Sequence, residues 1–206
     1  MRHQNRFQDN EQYLSQLADT FLVRCPRCRG RARVRSSGTS PDRVGRVACE
    51  QCGFEQSQGM NTASWRGPVR VHASQRCHYC GRWLRRSWRR DDAPREREIV
   101  LPCPNCERTT RVPQNWEPIS WGEPYDWFFG LPLWLQSPCC GEVLWAYNEH
   151  HLQFLKDYVG ATLRERQPYR NGSLASRLPQ WMKRAANRGE ILRCIEHLER
   201  LLSQKR

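Results

Sequence analysis

Cys25-Pro-Arg-Cys28 is followed after 20 residues by Cys49-Glu-Gln-Cys52-Gly53, and Cys77-His-Tyr-Cys80-Gly81 is followed after 22 by Cys103-Pro-Asn-Cys106. One motif stands in the chain twice. A Cys-x-x-Cys turn points two sulfurs at one place, and two such turns supply four thiolates about 2.3 Å from a common tetrahedral centre. Soft thiolates exclude magnesium and calcium, and paired knuckles with hairpins between them favour a closed structural zinc over iron. The chain is therefore expected to hold two Zn2+ ions, one on Cys25, Cys28, Cys49 and Cys52 and one on Cys77, Cys80, Cys103 and Cys106. Each would stabilise a unit too small to fold alone. The alternative is a crossed pairing of Cys49 and Cys52 with Cys77 and Cys80, across a gap of 24 residues.

A second cluster lies inside the second motif, where Arg82, Arg85, Arg86, Arg89 and Arg90 surround Trp83 and Trp88. Phosphates need cations and unstacked bases need a π face, so guanidinium groups beside indoles suit a single-stranded nucleic-acid platform. The competing role for both tryptophans is to pack the ribbon's small core. Three cysteines stand apart. Cys139 and Cys140 occupy Ser137-Pro-Cys-Cys-Gly141, read as the turn of a β-hairpin. Neighbouring residues of a strand face opposite ways, so the two thiols are expected to pack that turn, and a third metal site joining them to His150 and His151 is the alternative. Cys194, among Ile191, Ile195 and Leu198, reads as a small core residue of a helix.

Catalysis finds little support. Four-cysteine sites leave no open position for water, and the chain has no Gly-x-x-x-x-Gly-Lys-Ser/Thr loop, no His-Glu-x-x-His and no deaminase-type zinc motif. His78 sits within a knuckle and reads as a neighbour of the metal. The expected class is a non-enzymatic binding module.

Composition sets the frame for these motifs. The 206 residues are only 38% hydrophobic, so any core is small or braced by something else. No apolar run approaches the roughly 20 residues of a membrane helix. The N-terminal sequence has no apolar stretch of a secretory signal, so a cytoplasmic protein is expected. In a reducing compartment, eleven cysteines point to metal and away from disulfides. Residues 1–60, 61–112, 113–147 and 148–206 carry net charges of +4, +7, −4 and +6. Eight thiolates lower the total of +13 by 8 and two zinc ions return 4, so a metallated chain keeps about +9. The basic parts suit a polyanion, and the acidic, aromatic-rich 113–147 suits packing or a protein partner.

The elements that must position these residues follow from periodicity. Asp9 or Asn10 can cap a helix with Leu14, Leu17 and Phe21 on one face. Period-two segments 31–35 and 43–48 flank a turn at 36–41, and Trp83–Trp88 and Glu98–Leu101 flank a turn at 91–94. Residues 57–76 read as a loop with a short strand at 69–71. Residues 113–130 hold Trp116, Trp121, Tyr125, Trp127, Phe128 and Phe129, too aromatic for a flexible linker, and read as a wrap over an apolar surface. Hairpin strands are expected at 131–135 and 143–147. Asn148 caps a helix to about residue 165, with Pro168 beyond it. Ser173 starts a helical turn, Pro179 a second, and Asn187-Arg-Gly-Glu190 resembles a capping box before a helix striped with Ile191, Ile195, Leu198 and Leu202. The expected fold class is α+β: an N-terminal helix at 1–24, antiparallel zinc ribbons at 25–56 and 77–112 joined by a linker at 57–76, an aromatic wrap and β-hairpin at 113–147, and a helical region at 148–206.

The run Phe128-Phe-Gly-Leu-Pro-Leu-Trp-Leu-Gln-Ser-Pro-Cys-Cys-Gly-Glu-Val-Leu-Trp-Ala-Tyr-Asn148, then His151-Leu-x-x-Leu-x-x-Tyr-Val159, then Ser173-Leu-Ala-Ser-Arg-Leu-Pro-Gln-Trp-Met-Lys183, resembles a family of bacterial zinc-ribbon proteins of similar length. Its members carry provisional names such as transcription factor IIB-type zinc ribbon protein or primosomal helicase-like protein. The likeness covers residues 125–200 closely and the ribbons loosely. It implies zinc binding and brings no established activity; the helicase label lacks its phosphate loop here. The function expected is a zinc-stabilised module contacting nucleic acid or a nucleoprotein machine through its basic ribbons. The alternative is a protein–protein adapter working through 113–147. Neither involves a membrane or a small-molecule substrate.

Overall fold

The computed structural model describes residues 6–38, 43–59, 64–165 and 172–204. In chain order these form β1 (Arg6–Gln8), a 3-10 turn (Leu14–Leu17), β2 (Thr20–Arg24), β3 (Arg31–Ser37), β4 (Val44–Ala48), β5 (Glu55–Gly59), β6 (Val69–Arg76), β7 (Trp83–Arg90), β8 (Glu98–Pro102), β9 (Thr109–Pro118), β10 (Leu135–Cys139), β11 (Glu142–Ala146), α1 (Glu149–Gly160), β12 (Leu163–Glu165), α2 (Leu174–Arg177), α3 (Gln180–Lys183), a 3-10 turn (Ala185–Asn187) and α4 (Arg188–Ser203). The fold is mixed, with mostly antiparallel sheets and a long C-terminal helix. No described helix is long and apolar enough to cross a membrane.

The first sheet has strand order β2-β3-β4-β5. The pairing expected between 31–35 and 43–48 is present as β3 against β4, and part of the turn between them falls outside the described residues. Phe21, Val34 and Val47 line up across three strands and are fully buried. Phe21 thus belongs to a strand, and among the described residues 6–24 the expected N-terminal α-helix is absent. Only Leu14–Leu17 makes one 3-10 turn, because Thr20-Phe-Leu-Val is a β-favouring run that β3 captures. Asp9 does not cap a helix; its carboxylate accepts from the Glu11 N–H at 3.1 Å and the Ser173 hydroxyl at 2.5 Å.

The second sheet departs from the expected hairpin. Its order is β7-β6-β9-β8, so the segments 83–88 and 98–101 lie on opposite edges and do not pair. The segment 57–76 contributes a whole central strand, β6, and β9 takes residues 113–118 from the expected wrap. The reason lies in side-chain alternation. β6 buries Val69, Val71 and Ala73 and β9 buries Val112, which suits central strands, whereas arginine-rich β7 is suited to an edge. The two sheets therefore carry the same knuckles on different topologies: β3 and β4 join the knuckle hairpins in the first, β6 and β9 in the second.

The aromatic segment lies over the first sheet. Trp127, Phe128 and Phe129 are buried with Phe21, Val34 and Tyr147 in one core, and Gly45 makes room for Phe128, whose ring atoms a Cβ there would meet at 2.2–2.7 Å. Buried Asp126 ties this turn by accepting from the N–H groups of Phe128, Phe129 and Leu131 at 2.8, 2.9 and 2.7 Å. The hairpin is tighter than expected, with β10 and β11 joined by Cys140-Gly141 alone.

A second core joins the hairpin to α1, α2, α3 and α4 through Leu135, Leu144, Leu152, Leu174, Met182 and Ile191. Asn148 caps α1 by accepting from the His151 N–H at 3.0 Å, but α1 ends at Gly160 and the chain returns as β12 beside β1; Pro168 lies outside the described residues. Ser173 caps α2 as expected, accepting from Ser176 N–H at 3.2 Å. Asn187 makes no side-chain cap, and Glu190 reaches away from the helix end to the hairpin.

Candidate metal centres and the basic sheet face

Four Cys-x-x-Cys knuckles share one backbone design. In each, the first cysteine donates its N–H to the carbonyl five residues on, Cys25 to Gly30, Cys49 to Phe54, Cys77 to Arg82 and Cys103 to Arg108, at 2.7–2.9 Å. The residue after the second cysteine returns its N–H to the first, and it is left-handed in every case: Arg29, Gly53, Gly81 and Glu107 at φ 60°, 67°, 73° and 61°. Glycine takes this conformation freely; Arg29 and Glu107 take it against a steric cost. These turns bury the first cysteine of each pair and leave the second more open.

Two groups of four sulfurs result, Cys25/Cys28/Cys49/Cys52 and Cys77/Cys80/Cys103/Cys106, each able to hold a metal ion. The crossed pairing does not occur. Sulfur separations are 3.6 Å for Cys25–Cys52 and Cys28–Cys49, 3.7 Å for Cys77–Cys106 and 3.5 Å for Cys80–Cys103. That is too long for a disulfide, and a tetrahedron with 2.3 Å metal–sulfur bonds has edges of about 3.8 Å. None of the eleven cysteines is joined in a disulfide. The Tyr79 N–H and the Thr110 hydroxyl, 3.6 Å from the sulfur, draw Cys77 down to about 6. Against the pull of the Arg108 N–H, burial and the other three sulfurs push Cys106 up to about 12. Sulfurs this close do not all carry charge unless a cation offsets it.

The basic cluster is divided by the pleat of β7. Trp83, Arg85 and Arg89 point to the outer face of the second sheet, while Arg86, Trp88 and Arg90 share the parity of buried Leu84. Trp88 is half-buried and packs against the cluster of Trp65, Val69 and Val71, with Trp116 on the other side of Val71, so its role is to fill the sheet's core. Arg86 lies 5.3 Å from the Trp88 ring, Arg89 is bound bidentately by Glu123 at 2.8 and 3.3 Å, and Arg90 meets Asp92 at 3.5 Å. Arg82 is exposed in the knuckle turn. Trp83, 48% exposed, stands with the guanidinium groups of Arg76 and Arg85 at 4.9 and 5.0 Å from its ring centre.

Sequence reasoning missed three exposed arginines, Arg70 and Arg76 on β6 and Arg111 on β9, that belong to this same outer face. Period-two counting along 69–76 and 109–118 would have found them once those segments were read as strands.

Away from these sites, His150 and His151 do not join the adjacent cysteines. His151 is buried, and its Nδ1 accepts from the Tyr147 N–H at 3.2 Å. Cys194 is half-buried against the hairpin, its thiol 3.6 Å from the Pro138 carbonyl. The carboxylate that does approach Cys139 and Cys140 is Glu190, which no sequence spacing indicates because it lies 50 residues away. Compared with known proteins, the chain matches no family model, no curated protein and no solved structure.

Proposed function

We propose that the chain is a zinc-stabilised module that binds single-stranded nucleic acid, free or within a nucleoprotein machine, through the outer face of the second sheet. Zinc suits both tetrads, since four thiolates at tetrahedral spacing close the coordination shell and leave no place for a reacting water. Membership of the provisional zinc-ribbon family is part of this proposal and rests on residues 125–200. No catalytic role is included.

The observation that carries the nucleic-acid reading is the Arg76–Trp83–Arg85 array on an open, basic sheet face. Arg70 and Arg111 extend its charge along the neighbouring strands. Guanidinium groups meet phosphates, and either the indole or a guanidinium plane offers a surface for an unstacked base.

The test is anisotropy of a labelled single-stranded oligonucleotide across a salt series. Binding should weaken as salt rises, because each phosphate contact releases a condensed counterion. Changing Arg70, Arg76 and Arg85 together to Gln should flatten that slope, while Trp83→Ala should weaken binding by about 1–3 kcal/mol with the slope unchanged. A triple variant that binds like the parent at every salt concentration refutes the reading.

One feature favours the adapter reading instead. A cleft of about 750 Å³ is lined by Tyr13, Trp121, Trp145, Trp181 and Met182, and Trp121, 60% exposed, stacks on Trp127 at its rim. An apolar partner segment seated there would hold its affinity as salt rises, so the same titration separates the two.

A further inference from the structure

We propose that Cys139, Cys140 and Glu190, with Cys194 one turn farther along α4, form a third binding site, for a thiophilic divalent cation such as zinc, at the seam between the hairpin and α4. The ligand atoms of the first three residues all lie within 4.8 Å of one another. The sulfurs of Cys139 and Cys140 are 3.9 Å apart, close to the separations within the two tetrads and to the edge of a tetrahedral thiolate site.

Adjacent residues of a strand cannot do this, because their side chains point to opposite faces. Here the chain leaves β10 at Cys139, and Cys140 turns left-handed at φ 53°, followed by Gly141 at 79°. The two-residue turn that results is one for which Asn-Gly or Gly-Gly is the ordinary choice. A cysteine there takes up backbone strain, and the conformation it adopts brings the second sulfur round to the first. Glycine also follows the second cysteine in the Cys49/Cys52 and Cys77/Cys80 knuckles, left-handed as Gly141 is.

Helix α4 supplies the other side. Glu190 accepts the Cys140 N–H at 2.6 Å, which fixes its carboxylate at the turn. Cys194 lies four residues later, on the same face of the helix, with its thiol at the Pro138 carbonyl. An ion held by two thiolates and a carboxylate, with Cys194 or water as the fourth ligand, ties the hairpin to the helix. Its mixed and partly open shell makes it weaker than the closed four-sulfur sites.

The experiment is metal analysis of the full chain reconstituted with zinc, together with cadmium NMR of the cadmium-loaded protein. Three equivalents are expected, with two cadmium signals in the four-sulfur region and a third displaced by oxygen ligation. Cys139→Ser should bind two equivalents and keep the two four-sulfur signals, which shows that the rest of the fold is intact. Glu190→Gln keeps an acceptor for the Cys140 N–H but loses the charge, and should bind the third ion at least tenfold more weakly. Two equivalents in the parent at saturating zinc overturn the proposal, as does a third equivalent whose affinity is unchanged in both variants.

Discussion

Burial holds His151 neutral. Its ring is packed edge-on against Trp145 and Tyr147, and its Nδ1 accepts a backbone N–H, so a proton has no place there. Desolvation lowers it to about 3. A base whose folded value is depressed contributes stability that is complete above its unfolded value near 6.5 and is lost as pH falls toward the folded one. Between pH 7 and pH 5 the loss should be about 2 kcal/mol. Chemical denaturation at the two pH values measures it. His151→Gln can still accept the N–H but does not titrate, so its pH dependence should be shallower than the parent's by that amount. Equal slopes would show that His151 finds water or a counter-charge.

At the scale of elements, the two cysteine-bearing sheets have unequal support. The first is backed by Trp127, Phe128, Phe129 and Tyr147. The second is held by two smaller clusters, Ala73, Cys77, Leu84, Leu101, Cys103 and Val112 at the knuckle end and Trp65, Val69 and Val71 at the other, and two of the six knuckle-end residues are themselves candidate ligands. A metal ion bound at each tetrad would therefore supply a larger share of the second sheet's stability than of the first's. Cys28→Ser and Cys80→Ser should each lose one equivalent of metal. Hydrogen exchange should then become fast throughout β6–β9 in Cys80→Ser, but only around the knuckles in Cys28→Ser, with Phe21, Val34 and Val47 still protected. Equal loss of protection in the two variants would show that the aromatic cover does not hold the first sheet.

At the scale of the whole molecule, the second sheet meets the rest of the chain at a narrow junction. Gly67 and Gly130 approach so closely that a Cβ on Gly130 would lie 2.5 Å from the Gly67 nitrogen, and Gly130 is left-handed at φ 65°. Beside them the Arg66 N–H donates to Phe129 O at 2.8 Å, the Ile119 N–H to Pro68 O at 2.9 Å, and Arg89 pairs with Glu123. Gly130→Ala adds both backbone strain and overlap, and should destabilise the chain by about 2 kcal/mol or more. Thermal melting of the metal-loaded protein reads this, and a loss below 0.5 kcal/mol would mean that the junction yields at little cost.

The grouping of the eight knuckle cysteines was legible from sequence because ligand spacing is local: Cys-x-x-Cys makes its turn with its own backbone, and one return pairs two such turns. The caps at Asn148 and Ser173 and the apolar stripe of α4 were legible for the same reason. In the second sheet the tertiary structure alone decided which strands pair. The 83–88 and 98–101 segments alternate as a hairpin would, yet buried valines gave the centre of the sheet to β6 and β9, and that competition between strands is invisible to any window of residues. It also decided which arginines share a face with Trp83, that Trp88 turns inward, and that Glu190 and Cys194 arrive beside Cys139 and Cys140. Such meetings depend on how a helix packs on a hairpin some 50 residues earlier, and no local periodicity encodes them.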